Sequence, residues 1–99
     1  MLLIAIEWLV WDEWNLKHIW ERHGLRPETV EEVCYDTPVV LQGYKGRFVL
    51  IGPARGGDIF TIVLGPVPGQ LGAYYTFSAR PASRKERRYY SEQKGRFES

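Results

Sequence analysis

The run Leu3 to Val10, LIAIEWLV, is apolar on both faces except at Glu7 and predicts a first strand. From Trp11 the period changes. Asp12 is a suitable helix cap, since its carboxylate can accept from the free amides of a first turn, and Trp11 and Leu16 fit a hydrophobic staple around it. Leu16, Ile19, Trp20 and His23 then fall at i, i+3, i+4 and i+7, one apolar helical stripe that ends in a histidine. Gly24 fits the left-handed position that closes such a helix. Arg26-Pro27-Glu28 opens a second, with proline at a position whose amide needs no intrahelical partner. Glu28, Glu31 and Glu32 lie towards its N-terminus, where the helix dipole favours negative charge. Val30, Val33 and Cys34 supply its buried side, and it is expected to end near Asp36, before Pro38.

Beyond this point the chain reads as short extended runs between turns. Val39-Val40-Leu41 is a short strand or an extended edge, and Arg47 to Gly52 and Ile59 to Leu64 are fuller strands. Glycine- and proline-rich turns separate them. Over residues 72–80 the positions alternate. Tyr75, Phe77 and Ala79 are expected on one face, and Tyr74, Thr76, Ser78 and Arg80 on the other, as in a half-covered antiparallel strand. Ser83-Arg84-Lys85-Glu86 has the form of a capping box and predicts a basic, aromatic helix to about Lys94. The order β-α-α-(β)-β-β-β-α predicts an α+β fold: an N-terminal strand and two helices, an antiparallel β-meander, and a C-terminal helix. All three helices are expected to cover one face of the sheet. The 99 residues make one domain, expected over 1–94, with 95–99 as a frayed tail.

Composition adds exclusions. The single cysteine rules out an internal disulfide and any zinc site built from several cysteines. The apolar start lacks a basic segment before it, and no stretch approaches the roughly 18 apolar residues needed to span a membrane. A cytoplasmic location is the expectation. Net charge is only +1, but it is unevenly spread. Residues 1–36 carry three basic residues against eight acidic ones, and residues 75–99 carry seven against three. Such asymmetry points to a polyanionic partner for the basic end, or to attraction between the two ends of one fold.

The basic end holds the candidate chemistry. Arg84, Arg87 and Arg88 share a helix face, Lys85 lies beside them, and Arg80 leaves the preceding strand towards the same junction. Guanidinium groups gathered there would grip phosphate, because each fork binds an oxyanion through two bonds, and the amides opening the helix would help. The alternative is an ordinary solvated helix face. His18 and His23 are five apart, so they do not share a face as the paired histidines of zinc hydrolases do. Either is a candidate for proton exchange near neutral pH. Of Tyr89 and Tyr90, one is expected to pack on the sheet and the other to meet a base or a phosphate. Cys34 reads as a core residue. No paired carboxylates mark a metal site and no glycine-rich loop opens a helix after a strand, so neither metal nor cofactor is implied.

Trp11-Asp12-x-x-Asn15-x-x-His18, with His23-Gly24 closing the helix, resembles the start of the BrnT family of toxins, within the wider RelE-like group of bacterial and archaeal toxin–antitoxin systems. Ser78-Ala79-Arg80-Pro81-Ala82-Ser83-Arg84-Lys85-Glu86-Arg87-Arg88-Tyr89-Tyr90 is similar to that family's closing signature, SAR-x-AS-x-x-ER-x-x-Y. The resemblance covers roughly residues 8–92. It implies a RelE-like small domain that acts on RNA, free or on the ribosome, as a metal-independent endoribonuclease inhibiting translation. It also implies a cognate antitoxin protein as partner. By motif position Arg80, Arg84, Arg87 and Tyr90 are the C-terminal candidates, and Asn15 and His23 the N-terminal ones, Asn15 with a structural role left open. The chain departs from the pattern by carrying one histidine more, which leaves the part of His18 open, and by a proline-rich loop at Pro66 to Leu71.

In such an enzyme the RNA 2′-hydroxyl attacks the adjacent phosphate. Arg80 and Arg84 are expected to stabilise the charge that develops. His23 or Glu86 is the candidate base and Tyr90 the candidate acid, with Lys85, Arg87 and Arg88 on neighbouring phosphates. Two other classes stay open: a non-catalytic nucleic-acid-binding module using the same arginines with salt-sensitive affinity, and an interaction protein whose tryptophans and tyrosines form a face for a second copy or another chain.

Overall fold

The computed structural model of the chain describes residues 2–98, with side chains from 2 to 95; Ser99, the end of the expected tail, lies outside it. The first apolar run forms a strand only at its end, β1 (Trp8–Val10). Before it, Ile4 and Ile6 pack against the core as extended chain. Strand pairing begins at Gly72, whose carbonyl accepts from the amides of both Glu7 and Trp8.

The first helix, α1 (Glu13–His23), starts and stops where local chemistry dictates. The Asp12 carboxylate accepts from the Asn15 amide at 3.0 Å, and Asn15 Oδ1 accepts from the Asp12 amide at 2.8 Å. This is a capping box with asparagine in place of glutamate. Gly24 closes the helix at φ 64°. The buried side differs from the expected stripe. Asn15 and Ile19 face inward, while Leu16 and Trp20 stay 39% and 55% exposed. Asparagine is tolerated inside because its amide also donates to the Val10 carbonyl at 2.9 Å, which offsets the loss of water. The second helix, α2 (Pro27–Tyr35), buries Val30, Val33 and Cys34 as read from the sequence.

The remaining strands are β2 (Val39–Gln42), β3 (Phe48–Pro53), β4 (Ile59–Pro66) and β5 (Ala73–Pro81), followed by α3 (Arg84–Glu98), which continues past the end expected near Lys94. The sheet order is β1-β5-β4-β3-β2; β1 runs parallel to β5 and every other pair is antiparallel. One face carries Val40, Leu50, Ile62, Leu64 and Ala79 into a core shared with Ile19, Val30, Val33 and Cys34.

The simple alternation expected in β5 is broken by a bulge. Val63 pairs with Ser78 but Leu64 pairs with Thr76, so Phe77 is the extra residue. Past it the faces exchange. Tyr74, Thr76 and Ala79 lie on the core side, while Tyr75, Ser78 and Arg80 share the other. Gly65 makes room for the ring of the bulged Phe77, since a Cβ there would stand 2.5 Å from Phe77 Cε2.

The three helices do not cover one face. Arg80, on the side away from the core residue Ala79, reaches Glu86 of α3, so α3 returns over the face opposite α1 and α2. Ile51 and Thr61, paired across β3 and β4 on that opposite face, are each only 2% exposed. Among the described residues, no helix is long and apolar enough to cross a membrane.

Candidate functional site

β1 pairs with Ala73 to Tyr75, so among the described residues the rest of β5 has no strand on that side. The helix α1 packs along β5 instead. The meeting of helix and strand edge forms a cleft of about 200 Å³, lined by His18, Arg22 and His23 from α1 and by Ser78, Ala79 and Arg80 from β5. Two arginines, two histidines and a serine thus line one opening. His18 is fixed by its neighbour four residues earlier: its ring stacks on Trp14 with centroids 4.8 Å apart and planes within 9°.

Arg80 is aimed by the start of α3. Its Nη1 and Nη2 donate to the two Glu86 carboxylate oxygens at 2.7 and 2.8 Å, a bidentate pair, and Nη1 also reaches the Pro81 carbonyl at 3.4 Å. Glu86 is itself held. It accepts from the Ser83 amide at 2.8 Å, while Ser83 Oγ accepts from the Glu86 amide at 3.1 Å. The predicted capping box is therefore present, and it uses two of the amides that would otherwise face a bound anion. The Arg80 guanidinium, with the Ser83 amide adding, holds the Glu86 carboxyl down at about 2 against the opposing effect of burial. The same bond raises Arg80. Three of the five guanidinium donors are engaged among the described residues, and 45% of the side chain is open to solvent.

The sequence candidates thus divide. His18, His23 and Arg80 come together, and Glu86 stands directly behind Arg80. Arg84, Lys85 and Arg88 are exposed on α3 and do not line the cleft. Arg87 turns back to donate to the Ala82 carbonyl at 2.8 Å and lines a separate hollow with Asp58 and Pro81. Tyr90 is half-buried with Lys94 Nζ 5.6 Å from its ring centre, outside the cleft. Asn15 is wholly buried and caps α1. Arg22 and Ser78 were missed. Arg22 was legible as the residue one turn after His18, on the same helical face; Ser78 was legible as the residue two before Arg80, on the same strand face. Among the described residues, no group of three or more His, Cys, Asp or Glu is placed to hold a metal ion.

No protein-family model matches the sequence, and no curated protein does. Among solved structures, the 1.1 Å crystal structure of the Brucella abortus ribonuclease toxin BrnT is similar, with a TM-score of 0.62 and 25% sequence identity. The match covers 83% of this chain and 100% of that one. The chain therefore has the fold of a BrnT-like ribonuclease toxin: a RelE-like α+β domain in which an N-terminal strand and two helices, a mixed sheet and a C-terminal helix follow in that order.

Proposed function

We propose that the chain is the toxin of a type II toxin–antitoxin pair, a metal-independent endoribonuclease that cleaves RNA and so inhibits translation. The observation that carries this reading is the cleft uniting His18, Arg22, His23, Ser78 and Arg80 in a fold shared with a ribonuclease toxin. The scissile phosphate lies between Arg22 and Arg80, whose guanidinium groups meet the charge that grows on its oxygens. One imidazole takes the proton of the 2′-hydroxyl as its oxygen attacks phosphorus. The other gives a proton to the departing 5′-oxygen, leaving a cyclic phosphate on one fragment and a free hydroxyl on the other.

Glu86 is a poor proton acceptor at neutral pH, since its carboxyl is held at about 2. Its part is to aim Arg80. The exposed Arg84, Lys85 and Arg88, with Arg87 behind them, hold neighbouring phosphates of the strand. Tyr90, outside the cleft, donates no proton in this scheme. The partner that silences the protein is an antitoxin chain that covers the cleft, and the substrate is RNA, free or held by a ribosome that positions it.

The test is cleavage of a defined messenger RNA by purified protein, with and without ribosomes, beside His23→Ala and Arg80→Ala. Cuts that fall at least tenfold in both variants, with folding intact by circular dichroism, are the expected result. Folded wild-type protein that cuts under neither condition would refute the enzyme reading. RNA binding that persisted without cleavage would instead assign the cleft to a non-catalytic binding module.

A further inference from the structure

A second concavity opens beside the first. It is about 790 Å³ in volume and lies on the sheet face opposite the α1–α2 core. Trp14, Tyr75, Phe77 and Arg47 line it with three aromatic rings and one guanidinium, and Ser78 lines both this concavity and the cationic cleft. The Trp14–His18 stack also joins them, with Trp14 in the larger concavity and His18 in the cleft.

Each of these rings is held in place by a partner. Trp14 has one face against His18 and is still 57% exposed. The Tyr75 hydroxyl donates to the Asp12 carboxylate at 3.0 and 3.1 Å. Phe77 meets Tyr75 edge-on at 5.0 Å between centroids, and Arg47 lies 3.6 Å from the centre of its ring. A surface of rings already fixed loses little freedom when something stacks on it. An exposed indole face with a phenol, a guanidinium and a hydroxyl around it matches an unstacked nucleobase, which offers a π-face to Trp14 and hydrogen-bonding edges to Arg47 and Ser78.

We infer that this face is a nucleobase subsite: a base next to the phosphate held in the His18–Arg22–Arg80 cleft stacks on Trp14, with Tyr75 and the Arg47–Phe77 pair beside it. The inference rests on the RNA-cleaving reading and extends it from a phosphate grip to single-stranded RNA with a base docked beside the scissile bond. A duplex keeps its bases stacked in the helix and does not satisfy the subsite.

The experiment measures binding of a short single-stranded RNA to the full chain at fixed salt. It uses the same RNA with one abasic ribose scanned through it, the corresponding duplex, and the variants Trp14→Ala, Arg47→Gln and Arg80→Ala. Trp14 is mostly exposed, so its removal leaves the core intact, and thermal melting checks this. The expected result is about tenfold weaker binding for one abasic position, about tenfold for Trp14→Ala on the intact RNA, and little further loss when the two are combined. Weakening by Arg80→Ala alone, with no effect of Trp14→Ala, Arg47→Gln or the abasic site, would overturn the subsite and leave the cleft standing. Equal affinity for duplex RNA would overturn it too. Absence of RNA binding by folded protein would overturn the RNA-cleaving reading and this inference together. Self-association lost in Trp14→Ala, with RNA affinity untouched, would assign the face to protein and refute the subsite.

Discussion

Replacing Glu86 by glutamine tests whether α3 aims Arg80 by charge. Glutamine keeps an oxygen for the Ser83 amide, so the helix cap survives and the carboxylate charge is what disappears. The fall of the Glu86 carboxyl from its ordinary 4.5 to about 2 corresponds by linkage to about 3 kcal/mol. The Arg80 side chain is 45% exposed, and solvent screening reduces this to an expected loss of about 1–2 kcal/mol at pH 7. For a domain of this size that lowers the melting temperature by about 5–10 °C. The carboxyl is depressed in the folded state, so its stabilisation is complete above the unfolded value of 4.5 and is lost as pH falls through about 2. Melting curves of both proteins at pH 7 and pH 3 read the effect. The gap between them is expected to shrink to less than about half at pH 3, by the same linkage relation. A gap that stays constant between these pH values, or a variant as stable as wild type at pH 7, would refute the pairing as the source of the effect.

Three further outcomes are expected. Asn15→Ala leaves the Asp12 amide and the Val10 carbonyl without their partner, and urea unfolding is expected to record a loss of about 2–3 kcal/mol; a loss under about 0.5 kcal/mol would contradict the capping account. The Cys34 thiol is pushed up to about 12 by burial, with the Glu31 carboxylate adding, so an alkylating reagent at pH 8 is expected to label it only as the protein unfolds; rapid native-state labelling would count against its placement. Gly65→Ala drives a methyl group into the Phe77 ring, at a cost of about 1–3 kcal/mol, and adding Phe77→Leu is expected to recover part of that loss in thermal melting.

The elements were legible where a few neighbouring residues settle the matter. Asp12, Gly24, Pro27 and the Ser83–Glu86 box mark helix ends through hydrogen bonds or backbone preferences contained within a turn, and the chain obeys them. The burial of α1 was less legible, because periodicity favours apolar Leu16 and Trp20, whereas the hydrogen bonds of Asn15 carry that polar residue inside. Half of the cleft could be read as well. His23 and Arg80 were marked by the motifs that resemble the BrnT family, and His18 and Arg22 share a helix face. That His18, Arg22 and His23 of α1 meet Arg80 of β5 depends on β1 stopping at Val10, which leaves the edge of β5 to a helix.

The sequence by itself determined that a basic strand-to-helix junction would carry Arg80 and a capped helix, because those features are written in adjacent residues. Only the tertiary structure decided which way Arg80 points. Strict alternation along β5 separates it from Tyr75 and Phe77. The bulge at Phe77, whose ring lies over Gly65 of the neighbouring strand, shifts the phase by one residue and turns Ser78 and Arg80 onto the face of Tyr75. That shift depends on the fit between two strands and cannot be read from either strand alone.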